Sequence, residues 1–599
     1  MAYQPLYISN YSTGLQNDIE PFLLMDDAFP EIENAYLFRG RLKRREGFRS
    51  FGRFRRILTA QALGNAAGTS FSVNIITFLT LQATSSLQEG SITISVAAPG
   101  TSSFTEPATP DGTLVGTGFG TTGTINYTTG ALVLNFSAPI AASAVTIDFS
   151  YFPGLPAMGL FQKELPSIGV LQTVGFDTVY AYTYNNSLNA WEEWIPGTTW
   201  TGSNSQFFWI ANYWVSASNN PLFWATNFKQ TDPLRYTDGT TWTNFAPLTT
   251  ATETLWQARI IIPFKGRLLM LNTWEGTTAG GAAAATQYRQ RCRFSQVGTP
   301  IVAATSWLTV PQGKGGFIDA STNEEIVPAA FIRDQLIVWF EKSTWNLRYT
   351  GDPNIPFLWE RVDSELGAES TFSPVKFDKG VLAVGHLGIT TSTGNSVERI
   401  DEKIPNEVFK FHNGNDGTRR VYGIRDYVKQ LVYWTFPNDN VNGTFPNRML
   451  VFDYERGSWS FFKDSFTCFG RNLPFNDVRW IDLPTTPWEA ANFQWNDGSL
   501  QSGFPDIIAG NQQGYISLLN KQTINDPSLY ISAITPGTPP IITVTNHNLQ
   551  TDDFVTFTGI LGTSSVLNGT TYKIVKINDN SFNILTYDPL VPGFINVVL

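Results

Sequence analysis

The sequence predicts an all-β fold: a β-propeller core with an inserted β-sandwich module and a small C-terminal β module. The composition is 42% hydrophobic and 14% aromatic but only 15% charged, with 50 glycines. Such a balance is typical of sheet proteins, because aromatic and β-branched side chains suit pleated surfaces. Short apolar stretches alternate with polar turns, and no long helical stretches separate the strand pairs. At 599 residues the chain is too long for one core, so several domains are expected.

Residues 1–61 are predicted to form an extended segment that joins the propeller and carries a docking strip. The stretch RGRLKRREGFRSFGRFRR is dense in cations although the net charge of the chain is −10. The candidate interface residues are Arg39, Arg41, Lys43, Arg44, Arg45, Arg49, Arg53, Arg55 and Arg56. The first three would share one face of a strand, and arginine suits bidentate pairing at interfaces. We therefore expect docking on a neighbouring subunit or an acidic ring, with DNA binding and a solvated basic surface as the alternatives.

Residues 62–154 are predicted to form a separate β-sandwich. No Lys or Arg occurs between Arg56 and Lys163, and such a shift in composition marks a module. SITISVA and AVTIDFSY alternate as half-buried strands do. GTINYTTGALVLNF predicts a hairpin that turns at residues 128–130.

Residues 155–531 are predicted to form the β-propeller. All eighteen tryptophans lie between Trp191 and Trp495, and most are expected in the core between sheets. Similar units recur, each with polar turns and apolar strands: FKGRLLMLNTW, IRDQLIVWFEKSTWNLRY, KFDKGVLAVGHLGITTST, IRDYVKQLVYWTF and MLVFDYERGSWSFF. Such recurrence is typical of four-stranded propeller blades. An irregular large β-sandwich is the alternative.

Residues 532–599 are predicted to form a small C-terminal β domain. A Pro- and Gly-rich stretch, SAITPGTPP, resembles a linker, and two apolar segments follow it, IITVTNHNLQTDDFVTFTGI and TYKIVKINDNSFNIL. Their turn residues are Asp552-Asp553 and residues 578–580.

The sequence shows no catalytic, cofactor-binding or metal-binding constellation. The candidates considered and set aside are His386, His412, His547, Cys292, Cys468, the adjacent pairs Glu192-Glu193 and Glu324-Glu325, and Asp238-Gly239. Adjacent carboxylates on a strand point to opposite faces and cannot flank one glycosidic bond. Asp238-Gly239 lacks the spacing of an Asp box and predicts a β-turn instead. We also expect no signal peptide and no membrane span.

Several weak motifs occur in an order that resembles a known family. Residues 14–48 read GLQNDIEPFLLMDDAFPEIENAYLFRGRLKRREGF, and later strand motifs lie in residues 265–307 and 364–389. This order resembles the tail hub or nozzle proteins (tail tubular, tail-stabilisation) of short-tailed bacteriophages over residues 1–60 and 155–530. Glu46 stands where that family has a proline. The insert and the C-terminal domain look like small β modules of phage tails.

The resemblance implies a structural virion protein and no enzyme: a tail hub or nozzle ring that conducts DNA during ejection and holds fibres. It implies a homo-oligomeric ring, a hexamer, that meets portal or adaptor ring proteins and tail fibres or spikes. DNA would pass through the lumen without specific binding. The location implied is the virion tail, assembled in the host cytoplasm. The alternative function is a carbohydrate-binding or depolymerising propeller that recognises the host surface.

Overall fold

The computed structural model describes most of the chain and divides it into two compact units. The described residues are 11–596 apart from 12, 98–101, 108–109, 166–169, 187, 214–220, 311–314, 412–418, 439–443, 474–504, 521–530, 545–548, 550–553, 558–559, 561–566, 568–570 and 589–592. Unit 1 comprises residues 1–57, 82–86 and 151–521, and unit 2 comprises residues 58–81, 87–150 and 522–599. Nearly all regular structure in both units is β, which confirms the predicted fold class at this level.

The N-terminal segment contains short strands that attach to later parts of unit 1. Its elements are β1 (Gly14–Leu15), the 3-10 turn η1 (Pro21–Leu23), β2 (Ala28–Phe29), β3 (Ala35–Phe38), β4 (Arg41–Arg44) and β5 (Phe48–Arg53). β1 pairs with β2 in parallel, and β3 pairs with β4 as an antiparallel hairpin. The segment is therefore folded onto the rest of unit 1 in short pieces.

The inserted region contains a closed barrel. Its elements are β6 (Arg56–Asn74), α1 (Ile75–Phe78), β7 (Ser86–Leu87), β8 (Thr93–Val96), β9 (Ser102–Thr105), β10 (Thr113–Gly116), β11 (Gly120–Ile125) and β12 (Ala131–Phe152). Strands β8 to β12 pair in sequence, and β12 pairs back to β8. The hairpin predicted from GTINYTTGALVLNF is confirmed, because β11 pairs with β12 around Gly130 at φ 73°.

The predicted sandwich is corrected by that closure. The long strand β12 pairs with both β11 and β8, so a single sheet curls until its first and last strands meet. The side chains that alternate inward fill the interior, among them Ile94, Phe104, Leu134 and Ile147. Alternation of apolar and polar residues has the same period in a sandwich and in a barrel, so the sequence pattern did not distinguish them.

Within its described residues, unit 1 continues with seven four-stranded antiparallel sheets. Sheet 1 is β13 (Gly159–Leu165), β14 (Val170–Phe176), β15 (Ala181–Asn185) and β16 (Ala190–Glu193). Sheet 2 is β17 (Trp209–Tyr213), β18 (Leu222–Thr226), β19 (Leu234–Thr237) and β20 (Trp242–Phe245). Sheet 3 is β21 (Glu253–Phe264), β22 (Arg267–Thr277), β23 (Thr286–Phe294) and β24 (Gly316–Asp319), with η2 (Thr278–Gly280) and η3 (Ala282–Ala284) after β22.

Sheets 4 to 7 repeat the arrangement. Sheet 4 is β25 (Ile326–Ile332), β26 (Gln335–Phe340), β27 (Thr344–Tyr349) and β28 (Phe357–Asp363), and sheet 5 is β29 (Val375–Lys376), β30 (Val381–Val384), β31 (Ile389–Ser392) and β32 (Val397–Arg399). After η4 (Val408–Lys410), sheet 6 is β33 (Tyr422–Asp426), β34 (Leu431–Phe436), β35 (Arg448–Asp453) and β36 (Ser458–Phe462). Sheet 7 contains β37 (Phe466–Asn472), β38 (Asp506–Asn511) and β39 (Tyr515–Leu519).

The N-terminal strand β5 supplies the fourth strand of sheet 7. It pairs antiparallel with β39, with Phe48 opposite Leu519 and Arg53 opposite Tyr515. In each of the other six sheets all four strands are consecutive in sequence. The two ends of the sheet-forming sequence are thus joined by backbone hydrogen bonds within sheet 7.

The first strands of the seven sheets contact one another in a cycle. β13 contacts β17, and the contacts continue through β21, β25, β29 and β33 to β37, which contacts β13 again. Apolar cores lie between neighbouring sheets, and Trp339, Trp434 and Trp224 are fully buried in them. Gly470 of β37 fits against β13 because it has no side chain: a Cβ there would lie 2.6 Å from the carbonyl oxygen of Leu160.

The C-terminal module in unit 2 is a six-stranded sheet. Its strands are β40 (Ala533–Thr535), β41 (Ile541–Thr543), β42 (Phe554–Thr556), β43 (Thr571–Asn578), β44 (Ser581–Asp588) and β45 (Gly593–Asn596). Ile542, Ile574, Phe582 and Ile584 are buried in its core. Within the described residues no helix combines the length and apolarity that crossing a membrane requires. The four domains drawn from the sequence, with the three boundaries between them, stay predictions.

Candidate functional site: the basic segment and its surroundings

The first part of the basic segment is an exposed hairpin. Arg39 and Gly40 form the turn, both with positive φ (52° and 73°), so Phe38 of β3 lies opposite Arg41 of β4. Arg39 is therefore in a turn and not on the strand face predicted for it. All four residues of β4 are exposed, and Leu42 among them retains 48% of its surface. The strand presents Arg41, Lys43 and Arg44 to solvent.

The middle of the segment is tied to sheet 6 and to the start of sheet 7. Arg45 forms an ion pair with Asp464, just before β37. Glu46 lies 2.7 Å from Lys429 Nζ and 3.4 Å from Lys43 Nζ. Burial opposes ionisation of Glu46, but the hydrogen bonds from the two lysines outweigh it and lower the pKa of this carboxyl.

The last part of the segment lies against sheets 7 and 1. Arg49 is exposed on β5, opposite Leu518. The Arg53 guanidinium lies 4.5 Å from the ring centroid of Tyr515, and its Nε donates to the carbonyl oxygen of Gln513 at 3.1 Å. Burial lowers the pKa of Arg53.

Arg55 and Arg56 pair with two adjacent carboxylates at the edge of sheet 1. Arg55 Nη2 donates to Glu192 Oε1 at 3.0 Å. Arg56 binds Glu193 in a bidentate manner, Nε to Oε2 at 2.8 Å and Nη2 to Oε1 at 3.0 Å. Its Nη1 also donates to the hydroxyl of Tyr151 at 2.7 Å. Burial opposes the charged form of Arg56, but the bonds to Glu193 outweigh it and raise the pKa of the guanidinium.

Eight of the nine cations thus divide into two groups, and the ninth, Arg49, is exposed on β5. Arg45, Arg53, Arg55 and Arg56 bind partners within unit 1, and they fasten the N-terminal segment across the joined ends of the sheet cycle. Arg39, Arg41, Lys43 and Arg44 lie in or beside the exposed strand β4. The predicted docking role stays a prediction, and the second group is the one placed to perform it.

The cysteine and histidine side chains that the structure describes lie in buried or half-buried positions. Cys292 and Cys468 are both fully buried free thiols. Burial raises the pKa of Cys292 far above its ordinary value and that of Cys468 to about 12. His386 is half-buried, and burial together with the nearby charge of Lys342 lowers its pKa. His412 and His547 lie outside the described residues, among which no cluster of potential metal ligands occurs.

The acidic residues that the sequence analysis considered form hydrogen bonds or ion pairs within the fold. Glu324 accepts hydrogen bonds from the backbone of Lys342 and from Ser343, whereas Glu325 pairs with buried Arg259 at 2.6 Å. Asp238 caps its own turn by accepting from the backbone nitrogen of Thr240 at 2.8 Å, so the predicted β-turn is confirmed.

Asp177 is a fully buried carboxyl that the sequence reading did not select. It follows β14 and accepts hydrogen bonds from the backbone nitrogens of Val179 and Tyr180 at 2.6 Å each. The hydroxyl of Tyr182 donates to it at 2.7 Å. These hydrogen bonds stabilise the carboxylate and lower the pKa of Asp177, but the effect of burial is larger and raises that pKa to about 6.

An exposed apolar loop between β1 and β2 was also missed. Phe22 is 81% exposed, Leu23 63% and Met25 68%, and Ile19 is exposed as well. Asp18, Glu20 and Asp26 surround these side chains and face solvent. In the sequence, the apolar run PFLLM between acidic residues indicates this loop. From the sequence alone it was interpreted only as part of the resemblance to phage tail proteins.

The structure defines an all-β protein of repeated four-stranded sheets with two further β modules. A family model, the ubiquitin-activating enzyme E1 FCCH domain, matches residues 536–590. The match lies wholly within the C-terminal module, most of which it covers. None of the curated proteins matches the chain.

This match contradicts the family assignment made from the sequence. It points to a protein similar in part to ubiquitin-activating enzymes and not to a phage tail hub or nozzle. The structural role in a virion, the exclusion of an enzyme and the location in a virion tail depended on that assignment and are contradicted with it. The motifs behind the assignment were short strand and turn patterns, which many β proteins share.

Proposed function

We propose that the chain has an enzyme-related role as a binding scaffold in a ubiquitin-activating type of system. The observation that carries this proposal is the match of residues 536–590 to the E1 FCCH domain. In this proposal the C-terminal module binds a ubiquitin-like protein, and the large repeated region holds it in place.

The chemistry of the chain's own thiols favours binding over covalent catalysis by this subunit. A thiol acts as a nucleophile in its ionised form, and that form needs solvent access and a stabilising environment. Cys292 and Cys468 are the two cysteines of the chain, and both have zero exposed surface and a raised pKa. Alkylation with iodoacetamide should therefore leave both thiols unmodified until the chain is unfolded.

In the same proposal, the seven sheets of unit 1 are the blades of a β-propeller. The cyclic contacts among the seven first strands support it, since those strands surround the axis in that architecture. The completion of sheet 7 by β5 also supports it, because it ties the first and last parts of the repeated region together. A propeller would give the module a rigid base.

Binding to ubiquitin tests the proposal directly. Isotopically labelled ubiquitin is titrated with the full chain, and its amide resonances are followed by NMR. We expect selective broadening that maps one surface of ubiquitin. Unchanged ubiquitin spectra at saturating chain concentration would contradict the proposed function.

A surface variant locates the binding to the C-terminal module. Ile541 and Ile577 are each 37% exposed on β41 and β43, and replacing both by Asp should reduce the broadening. Leu188→Asp is the matched control, because Leu188 is an exposed aliphatic residue of unit 1 at 60%. If the double variant has a lower melting temperature than the parent, Ile577→Ser alone replaces it in the binding experiment. Equal losses in the module variant and the control would count against binding by the module.

A further inference from the structure

The loop between β1 and β2 carries an apolar surface that the described residues of the chain leave uncovered. Ile19, Phe22, Leu23 and Met25 are all exposed, two of them by more than 65%. Large apolar side chains grouped in this way on a surface mark interaction sites. The group occupies a seven-residue stretch that includes η1, and no residue of this stretch is buried.

The loop is held in position by its flanks. The backbone nitrogen of Asn17 donates to the carbonyl oxygen of Lys403 at 3.1 Å, and Asn17 Nδ2 donates to Glu407 at 2.6 Å. On the other side, Asp27 accepts from the backbone and hydroxyl of Thr13 at 3.1 and 2.9 Å. The exposed apolar side chains are therefore presented from a fixed base after sheet 5.

The strand β4 has the opposite charge and a similar apolar content. It exposes Arg41, Lys43 and Arg44 together with Leu42, and Phe48 nearby is 49% exposed. β4 pairs with β3 on one side, and no other strand of the described residues pairs with its second edge. An exposed strand edge is a surface on which another chain can dock.

The loop and β4 are complementary, and the segment before the loop meets the β3–β4 turn, where the backbone nitrogen of Tyr11 donates to the carbonyl oxygen of Gly40 at 2.9 Å. The loop is fixed near Lys403, whereas the end of β4 is fixed by Arg45 to Asp464 and by Glu46 to Lys429. Three exposed acids surround the loop's apolar residues, and three exposed bases accompany the apolar residues of β4.

We propose that a second copy of this chain covers each of these surfaces. The acidic apolar loop of residues 18–26 in one copy docks on the basic strand β4 of the next. This contact joins two different surfaces, so it can repeat head to tail in a closed ring or occur twice across a two-fold axis, and both arrangements leave no loop or strand uncovered. The inference is independent of ubiquitin binding, because both surfaces lie in unit 1.

Charge reversal of each surface tests the contact. The loop variant combines Asp18→Lys, Glu20→Lys and Asp26→Lys, and the strand variant combines Arg41→Glu, Lys43→Glu and Arg44→Glu. Each is measured as the full chain by sedimentation velocity over a concentration series. We expect the parent to self-associate and each variant to associate at least about tenfold more weakly, because like charges then face each other.

Mixing the two variants provides the decisive result. In the mixture, the basic loop of the loop variant can face the acidic strand of the strand variant. The unaltered acidic loop of the strand variant can likewise face the unaltered basic strand of the loop variant. We expect the mixture to regain mixed assemblies that neither variant forms alone. Association of the parent should also weaken when salt is raised, because salt screens exposed charges.

Two controls separate the contact from other causes. Lys265→Glu, Lys342→Glu and Lys379→Glu make the same change in net charge as the strand variant, at exposed positions of sheets 3 to 5, and should leave association unchanged. Phe22→Ser with Met25→Ser removes apolar surface without altering charge and should weaken association if the reversal variants fold poorly. A parent that stays monomeric, a control that also dissociates, or a mixture of folded variants that stays apart would overturn the proposal.

Discussion

Removing the Arg56 side chain should destabilise the junction between the N-terminal segment and sheet 1. The Arg56 guanidinium is bound to Glu193 at 2.8 and 3.0 Å and lies 3.9 Å from the ring centroid of Tyr180. The Arg56 side chain is 14% exposed and that of Glu193 is 8% exposed. Arg56→Ala would leave the Glu193 carboxylate nearly buried without its partner.

The expected loss follows from the burial of the pair. Breaking a buried ion pair by removing one partner destabilises a protein by about 3–5 kcal/mol. The partial exposure of Arg56 favours the lower end, about 3 kcal/mol, since water can partly solvate the remaining carboxylate. Arg56→Leu combined with Glu193→Leu should recover most of this loss, because it leaves no unpaired charge.

Denaturant unfolding followed by tryptophan fluorescence measures the change in free energy. All eighteen tryptophans lie between Trp191 and Trp495, within the range of unit 1, so the total emission follows the unfolding of the unit that contains this junction. Arg41→Ala is the matched control, since Arg41 is exposed on β4, and we expect a change within about 0.5 kcal/mol. Equal free energies of unfolding for Arg56→Ala and Arg41→Ala would refute the reasoning.

Three further predictions concern the sheet cycle and a buried carboxyl. Gly470→Ala should destabilise unit 1 by about 1–3 kcal/mol, because the new Cβ would collide with the backbone of Leu160. Gly47→Ala should not destabilise the chain, because no atom lies near the position of its new Cβ. Equal melting temperatures for the two variants would count against the close contact at Gly470. Trp434→Phe should lower the free energy of unfolding by about 1 kcal/mol more than Trp339→Phe does. The indole nitrogen of Trp434 donates a hydrogen bond to the carbonyl oxygen of Ser373 at 2.9 Å, whereas that of Trp339 has no partner among the described residues. A reversed order in denaturant unfolding would contradict this. The raised pKa of Asp177, about 6, lies above its unfolded value of about 3.9, so the folded chain binds the proton more tightly and the free energy of unfolding should fall as pH rises from about 4 to about 6. Asp177→Asn should reduce that slope by the contribution of this one carboxyl, because Glu369, Asp453 and Asp464 also have raised pKa values and remain in the variant. An unaltered slope in the variant would be evidence against it.

The sequence was sufficient for features that depend on neighbouring residues. The hairpin turning at Gly130 and the turn after Thr237 were both predicted, because turn residues and alternation act over a few positions. The burial of Trp224 and Trp339 between sheets was also expected, since large aromatic side chains fill such cores.

The family assignment failed for a related reason. Short strand motifs in a given order report local β structure, which unrelated proteins share, so they did not determine which family the chain resembles. The match in the C-terminal module instead extends over one continuous stretch, residues 536–590.

The sequence alone determined that this protein is built from short strands, and it located the basic segment. Only the tertiary structure decided that β5 pairs with β39, that the inserted strands close into a barrel, and that Arg56 is bound to Glu193 while Arg41 stays exposed. The physical reason is that strand pairing and ion pairing join groups that are distant along the chain. A strand edge or a charged side chain has the same local sequence whichever partner it finds in the folded protein.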